Sequence, residues 1–183
     1  MTSKEKIKAL ILYICSKIPA ELSGVIKLNK IIWFSEIETM YQTWDYLTRH
    51  SFIRQKFGPV PLNIHIMREE LVQENKLRKI DAGEMSNGAK WYQFETIGQI
   101  DIKKYFSDEQ IKIIDSQINK YADMPALSVS DISHDDIWAS LEDADEMPVN
   151  LYKFRPVYDD EQKTYLKNFV NNISKEQYGH VTA

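Results

Sequence analysis

Apolar residues recur at helical spacing in two segments near the start of the chain. Across residues 4–18 they fall three or four positions apart with lysines mostly on the other side, which predicts an amphipathic helix that Pro19 ends. From about Val25 to Tyr41, apolar residues point in nearly every direction around the helix axis. A helix that is apolar all round is typically buried, so the second helix is expected to lie in the core.

A short extended segment, a third helix and a β-hairpin are predicted next. Residues 51–57 lack the helical pattern and favour the extended segment. The third helix should run from Pro61 to about Asn75, because proline's missing N–H and preset φ cost nothing in a first helical turn. Residues 77–81 and 90–95 flank a loop that contains Asn87-Gly88, a pattern typical of a hairpin.

Two further helices are predicted after the hairpin. Ser107 and Gln110 form a capping-box pattern ahead of a strongly amphipathic segment that Pro125 ends. Ser133 is expected to cap a shorter helix that carries Trp138.

These elements predict a fold that is mainly α with a small β component. We assign residues 1–148 to one compact helical domain, with a winged-helix-like order of helix, helix, strand, helix and hairpin followed by further helices. Residues 149–158 favour an extended segment, and the apolar spacing that follows favours a final helix to about Gln177. We expect residues 149–183 to pack on the same domain.

Composition is that of a folded protein, with 43% hydrophobic and 27% charged residues. No apolar run reaches the roughly 18 residues of a membrane span, and no export signal is visible. The single cysteine, Cys15, excludes an internal disulfide and a cysteine-based zinc site. A cytoplasmic protein is therefore expected.

Charge is distributed unevenly along the chain, whose net charge is −4. Residues 1–60 hold nine Lys or Arg against five Asp or Glu, whereas residues 121–183 hold five against twelve. No Lys or Arg lies between Lys120 and Lys153, although that segment contains eight acidic residues. Such a segment would repel nucleic acid and attract a basic partner, or form an ordinary solvated surface.

Patterns that carry enzyme chemistry are missing from the sequence. The four histidines have no nucleophile motif around them, and no phosphate-cradling glycine loop occurs. The densest set of possible metal ligands is His134-Asp135-Asp136, but adjacent helical residues point about 100° apart and cannot easily converge on one ion. We therefore expect no catalytic residues, no metal and no cofactor.

Nucleic-acid binding is weakly supported. A winged helix would present its third helix to a DNA groove, but that helix carries a mixture of acidic and basic residues. The hairpin offers Arg78, Lys79 and Lys90, with Asp81 and Glu84 beside them. The pI of about 5.6 is low for a DNA reader, so we expect nucleic acid to be an unlikely partner.

Aromatic and basic residues concentrate just before the predicted third helix. Trp44 and Phe57 belong to this group, and aromatic and arginine side chains are enriched at protein interfaces. On an alternating strand, Arg54 and Lys56 would face one side and form a small exposed cationic patch. These four residues are candidates for contact with a protein partner.

Three short motifs resemble the signature of the Panacea domain, the SocA-like or GepA-like family. They are KLNKIIWF at residues 27–34, FGPV at residues 57–60 and SHDDIW at residues 133–138. Their order and spacing match the family across about residues 25–141. Phe57 stands where the family frequently has a tyrosine, which leaves the resemblance intact.

The resemblance implies an antitoxin, a non-enzymatic bacterial or prophage protein that binds and neutralises a cognate toxin commonly encoded by the adjacent gene. Family members oppose different toxins, including small alarmone synthetases and other translation inhibitors. Two alternatives remain open. One is a winged-helix transcriptional regulator, and the other is an adaptor that delivers a toxin to a ClpXP protease.

Roles within the motifs follow from helix geometry and from the resemblance. Lys27 and Lys30 lie three residues apart, so we expect them to share an exposed edge that contacts the partner. His134 and Trp138 lie four apart, which favours a packed structural pair over an active site. The motif residues expected to be structural are Leu28, Phe34, Gly58, Pro59, His134 and Trp138.

Overall fold

A computed structural model describes residues 1–84, 88 and 90–154 as a helical domain with two small antiparallel sheets. The fold is mainly α with a small β component, as predicted. The α-helices are α1 (Ser3–Lys17), α2 (Val25–Thr43), α3 (Ile64–Gln73), α4 (Asp108–Tyr121), α5 (Ala126–Ile132) and α6 (Asp136–Ala139). The strands are β1 (Phe52–Ile53), β2 (Val60–Pro61), β3 (Leu77–Glu84) and β4 (Lys90–Thr96).

The core is organised around α2, which is buried along almost its whole length. This helix packs against α1, α4, α5, β2 and a 3₁₀ helix at Val149–Phe154. Trp33 is fully buried, and its ring lies 5.2 Å from that of Phe52 and 5.1 Å from that of Tyr152. An all-round apolar helix thus occupies the centre of the domain, as its pattern predicts.

Both sheets are antiparallel pairs. β1 pairs with β2 through Phe52 opposite Pro61, and β3 pairs with β4 to form the hairpin. The backbone of residues 144–147 runs beside β1, where the Arg54 N–H donates to the Asp145 carbonyl at 2.8 Å and the Met147 N–H to the Phe52 carbonyl at 2.8 Å. This part of the acidic segment is therefore fixed alongside β1.

The start of α3 differs from the prediction. Pro61 lies in β2 rather than in a first helical turn, and the helix begins at Ile64 after Asn63 in the left-handed conformation (φ 59°). The Leu62 N–H donates to the Ser51 carbonyl at 2.9 Å and so prolongs the strand pairing past the proline. Because proline has no N–H to donate, Pro61 is compatible with both a strand position and a first helical turn. The local sequence pattern therefore did not distinguish the two.

Predictions near the end of the domain also need correction. Ser133 ends α5, a helix that the pattern analysis missed, and Asp135 caps α6 by accepting the Trp138 N–H at 2.9 Å. The sequence ALSVSDI of α5 is short and rich in weak helix formers, so its periodicity gives little signal. Residues 149–154 form a 3₁₀ helix instead of an extended segment, and the predicted C-terminal helix lies outside the described residues.

In the described residues, no helix has the length and apolar character needed to span a membrane. The same residues bring together no group of three His, Cys, Asp or Glu side chains suited to holding a metal ion.

Candidate functional site

The turn between β1 and β2 is held by side chains from three other parts of the fold. The Trp138 Nε1–H donates to the Gln55 carbonyl at 3.1 Å, and the Ser130 hydroxyl donates to the Phe57 carbonyl at 3.0 Å. Lys30, from the middle of the core helix, donates its Nζ–H to the Pro59 carbonyl at 2.5 Å. We call Lys30, Ser130 and Trp138 the carbonyl clamp, because they bind alternate carbonyls along one turn.

Gly58 lies at the tightest point of this arrangement. Its φ of +87° is a left-handed conformation that favours glycine. A Cβ at this position would overlap the Ser133 Oγ and lie 2.9 Å from the Lys30 Nζ. The Ser133 hydroxyl is itself fixed, because it donates to the Ser130 carbonyl at 2.6 Å. The backbone approaches α5 this closely only because residue 58 has no side chain.

Lys30 and Lys27 do not share an exposed edge, contrary to the prediction. Their exposed fractions are 1% and 4%, and the Lys27 Nζ–H donates to the Ala122 carbonyl at 2.5 Å. Burial lowers the pKa of Lys30 to about 6 and also lowers the pKa of Lys27. Because α2 is covered on nearly every side, both lysines extend through the core to backbone carbonyls instead of reaching solvent.

The other apolar motif residues of α2 lie in the core. Leu28 is fully buried, and Phe34 is 3% exposed. The Phe34 ring stacks on that of Tyr121, with ring centres 4.3 Å apart.

His134 and Trp138 form a stacked pair beside the turn. Their ring centres are 3.8 Å apart and the ring planes differ by 15°. Burial lowers the pKa of His134, and the nearby Lys30 lowers it further. The stack positions the indole so that its N–H meets the Gln55 carbonyl.

Arg54 covers the indole of Trp138 instead of contributing to a cationic patch with Lys56. Its guanidinium lies 4.3 Å from the centre of the Trp138 ring and forms an ion pair with Asp143. β1 ends at Ile53, so the alternation that would place Arg54 and Lys56 on one face does not extend to them. The proposed patch is therefore wrong, and only Lys56 remains exposed.

The exposed part of the turn consists of Gln55, Lys56 and Phe57, of which Lys56 and Phe57 form a contacting pair. The Phe57 side chain is 45% exposed, and the Lys56 Nζ lies 5.5 Å from the centre of its ring. Backbone carbonyls on both sides of this pair are bound by the carbonyl clamp, so the pair is held outward by a fixed main chain. Such an arrangement suits the binding of a partner surface, since little conformational freedom is left to lose.

Trp44, another predicted contact residue, is 66% exposed at the end of α2. It has a left-handed φ of 60°, and its ring lies 6.0 Å from that of Phe154. The described contacts of Trp44 do not include the carbonyl clamp or the turn that the clamp holds.

Ser130 is the clamp residue that the sequence analysis missed. Its role depends on α5 docking against the turn, and a serine in a short helix carries no local signal for such a contact. Cys15 is buried as expected, and burial raises the pKa of its thiol to about 12, which leaves it protonated at neutral pH.

Comparison with known families gives one match. The family model described as "Antitoxin SocA-like, Panacea domain" matches residues 28–139, which is more than half of the chain. No curated protein and no solved structure matches the sequence. The matched range contains the carbonyl clamp, the turn and Gly58.

Proposed function

Because the chain belongs to the SocA-like, Panacea-domain antitoxin family, we propose that it neutralises a cognate protein toxin by direct binding, without catalysing a reaction itself. The observation that carries the proposal is the carbonyl clamp, which joins segments of the family match and holds Lys56 and Phe57 outward. The proposed toxin is the product of the adjacent gene. We propose that the two genes are bacterial or belong to a prophage, and that both proteins act in the cytoplasm.

The chemistry of the turn favours a protein surface as the ligand. Phe57 is a half-exposed aromatic residue on a fixed main chain, and aromatic residues of this kind dominate the binding energy of many interfaces. Lys56 adds a positive charge beside it, which would favour an acidic group next to an apolar pocket on the toxin. An interface that inhibits an enzyme tightly would bury about 1,600 Å² in total, so surface beyond this pair must contribute.

A DNA-binding regulator has less support. The three hairpin cations, Arg78, Lys79 and Lys90, each form an ion pair with a carboxylate at 2.6 to 2.9 Å. Cations that are already paired gain less from contact with phosphate. A promoter-binding assay at low salt would detect this function, and a salt-dependent shift would favour it over toxin binding.

Co-expression tests the proposed function. The product of the adjacent gene is expressed alone and together with this chain, and growth and complex formation are measured. We expect growth arrest with the product alone, rescue by this chain and a purified complex of the two proteins. A product that is harmless alone, or that forms no complex, contradicts the proposal. An adaptor role predicts in addition that this chain shortens the lifetime of the toxin, whereas plain occlusion leaves it unchanged.

A further inference from the structure

An open groove of about 510 Å³ lies beside the turn, between the first half of α2, the segment from β1 to β2 and the start of α3. Its volume falls within the range of small-ligand sites. Apolar side chains cover much of the wall, among them Val25, Ile26, Val60 and Ile64. The groove therefore offers an apolar surface for the body of a ligand.

The ionisable residues that line this groove are all basic. They are Lys30, Lys56, His65 and Arg68, and the lining contains no aspartate or glutamate. This is unusual for a chain with a net charge of −4, in which acidic residues outnumber basic ones. The groove thus differs in charge from the protein as a whole.

Two of these basic residues are buried without an ion pair. Lys30 is 1% exposed and Arg68 is 8% exposed, and neither forms an ion pair within the described part of the chain. Exposed lysines elsewhere do form such pairs, for example Lys4 with Glu70 and Lys79 with Glu69. Burial of a charged group without an ion pair is costly, so the presence of the Arg68 guanidinium at the wall of a groove points to an anion that arrives from outside.

Arg68 retains unused hydrogen-bonding capacity. Its Nη1–H donates to the Asn29 Oδ1 at 3.1 Å, and its guanidinium lies 5.4 Å from the centre of the Phe94 ring. A guanidinium has five N–H donors in a rigid fork that matches phosphate and carboxylate oxygens. The contact with Asn29 accounts for one donor, and it fixes the side chain between α3 and α2.

We propose that this groove binds the phosphate group of a small ligand whose apolar portion rests on the α2 and β2 walls. Arg68 and Lys30 would bind the phosphate oxygens, with Lys56 and His65 contributing from their positions on the wall. An arriving phosphate would favour the protonated form of Lys30, because an opposite charge close by stabilises an ammonium group. Phosphate is favoured over carboxylate because it carries up to two negative charges and three acceptor oxygens, which suits a site with several basic groups and no acid. The proposal goes beyond toxin binding and is tested without a toxin, although Lys56 belongs to both the groove and the proposed toxin contact.

Titration calorimetry of the full chain in 0.15 M salt tests this inference with three probes: phenyl phosphate, inorganic phosphate and benzoate. We expect phenyl phosphate to bind saturably with one-to-one stoichiometry. Inorganic phosphate should bind more weakly because it lacks an apolar portion, and benzoate should bind more weakly because it has one charge. Tighter binding of benzoate, or no saturable binding of phenyl phosphate, overturns the proposal.

Two substitutions locate the site. Arg68→Gln should weaken phenyl phosphate binding about tenfold or more, the usual consequence of losing a charged hydrogen bond. Asn29→Asp places a carboxylate against the Arg68 guanidinium, so it should abolish binding while keeping the fold, and it serves as the second variant if Arg68→Gln unfolds. The control is Arg78→Gln on the exposed hairpin, which should leave the affinity within about twofold. A folded Asn29→Asp protein that binds as tightly as the wild type, or an equal loss in the control, contradicts the assignment.

Discussion

The side-chain nitrogen of Lys30 donates a hydrogen bond to the Pro59 carbonyl oxygen at 2.5 Å and thereby joins the core helix α2 to the turn between β1 and β2. The two residues lie 29 positions apart and belong to separate motifs. Trp138 from the third motif binds the same turn through the Gln55 carbonyl. The three motifs therefore form one structural unit. This unit holds the Lys56-Phe57 pair exposed at the surface.

Gly58→Ala should destabilise the protein by about 1–3 kcal/mol, because a Cβ there overlaps the Ser133 Oγ within a packed region. Urea denaturation measures the free energy of unfolding. Gly98→Ala is the matched control, since Gly98 also has a positive φ (+80°) but has no atom within 4 Å of the place that a Cβ would occupy. Gly98→Ala should lose only the unfolding free energy that a positive φ costs an alanine. Equal losses at the two positions would therefore contradict the close approach of Gly58 to Ser133.

Lys30→Met should change how stability depends on pH. The folded pKa of Lys30 is about 6, against an ordinary value of 10.5, so between these values the unfolded chain binds a proton at Lys30 that the folded chain does not. As pH falls through this window, Lys30 therefore lowers the free energy of unfolding by up to about 1.4 kcal/mol per pH unit. The stability of Lys30→Met relative to the wild type should rise steadily as pH is lowered from about 9.5 to about 7, a range inside this window.

Urea denaturation at several pH values measures this difference. Lys103→Met is the control, because pairing with Asp108 raises the pKa of Lys103 and moves its titration above the window. A difference between Lys30→Met and wild type that stays constant across pH would show that Lys30 is charged in the folded protein.

Removing one member of the carbonyl clamp should affect the turn between β1 and β2 more than the rest of the domain. We expect a small loss of unfolding free energy and faster local opening of the turn. Trp138→Phe keeps a ring for His134 and Arg54 to contact but removes the N–H donor to Gln55, and Ser130→Ala removes the donor to Phe57. Each should cost about 1 kcal/mol of unfolding free energy. Hydrogen exchange detected by mass spectrometry should be faster in a peptide that spans residues 54–60.

The control for this experiment is Ser140→Ala, which removes a hydroxyl that donates to the Ile137 carbonyl within its own local turn. It should leave exchange across residues 54–60 unchanged. Unaltered exchange in both clamp variants would mean that these hydrogen bonds do not hold the turn.

Local patterns predicted the elements that have long or strongly periodic sequences. The helices α1, α2 and α4, the capping box of Ser107 with Gln110, and the hairpin all lie close to their predicted positions. Helix α5 was not predicted, because it contains weak helix formers. The start of α3 was predicted wrongly, because Pro61 fits two conformations. In these regions, tertiary contacts decide the structure.

The chemistry of the site was less predictable than the fold. Helix spacing suggested an exposed edge for Lys27 and Lys30, although the same helix was expected to be buried on nearly every side. The structure resolves this conflict by directing both side-chain nitrogens to carbonyls of distant segments. No single-sequence pattern specifies which distant carbonyl a lysine will reach, and the contact of Ser130 with Phe57 is undetectable for the same reason.

The most direct test of the central claim is the affinity of the Phe57→Ala protein for its toxin, measured by titration calorimetry beside Trp91→Ala, a control that truncates a 40% exposed aromatic residue on the hairpin. If the clamped turn is the contact, Phe57→Ala weakens binding by about 2 kcal/mol, roughly thirtyfold, without changing the unfolding transition, and Trp91→Ala leaves the affinity unchanged. Unchanged affinity in Phe57→Ala would contradict the account.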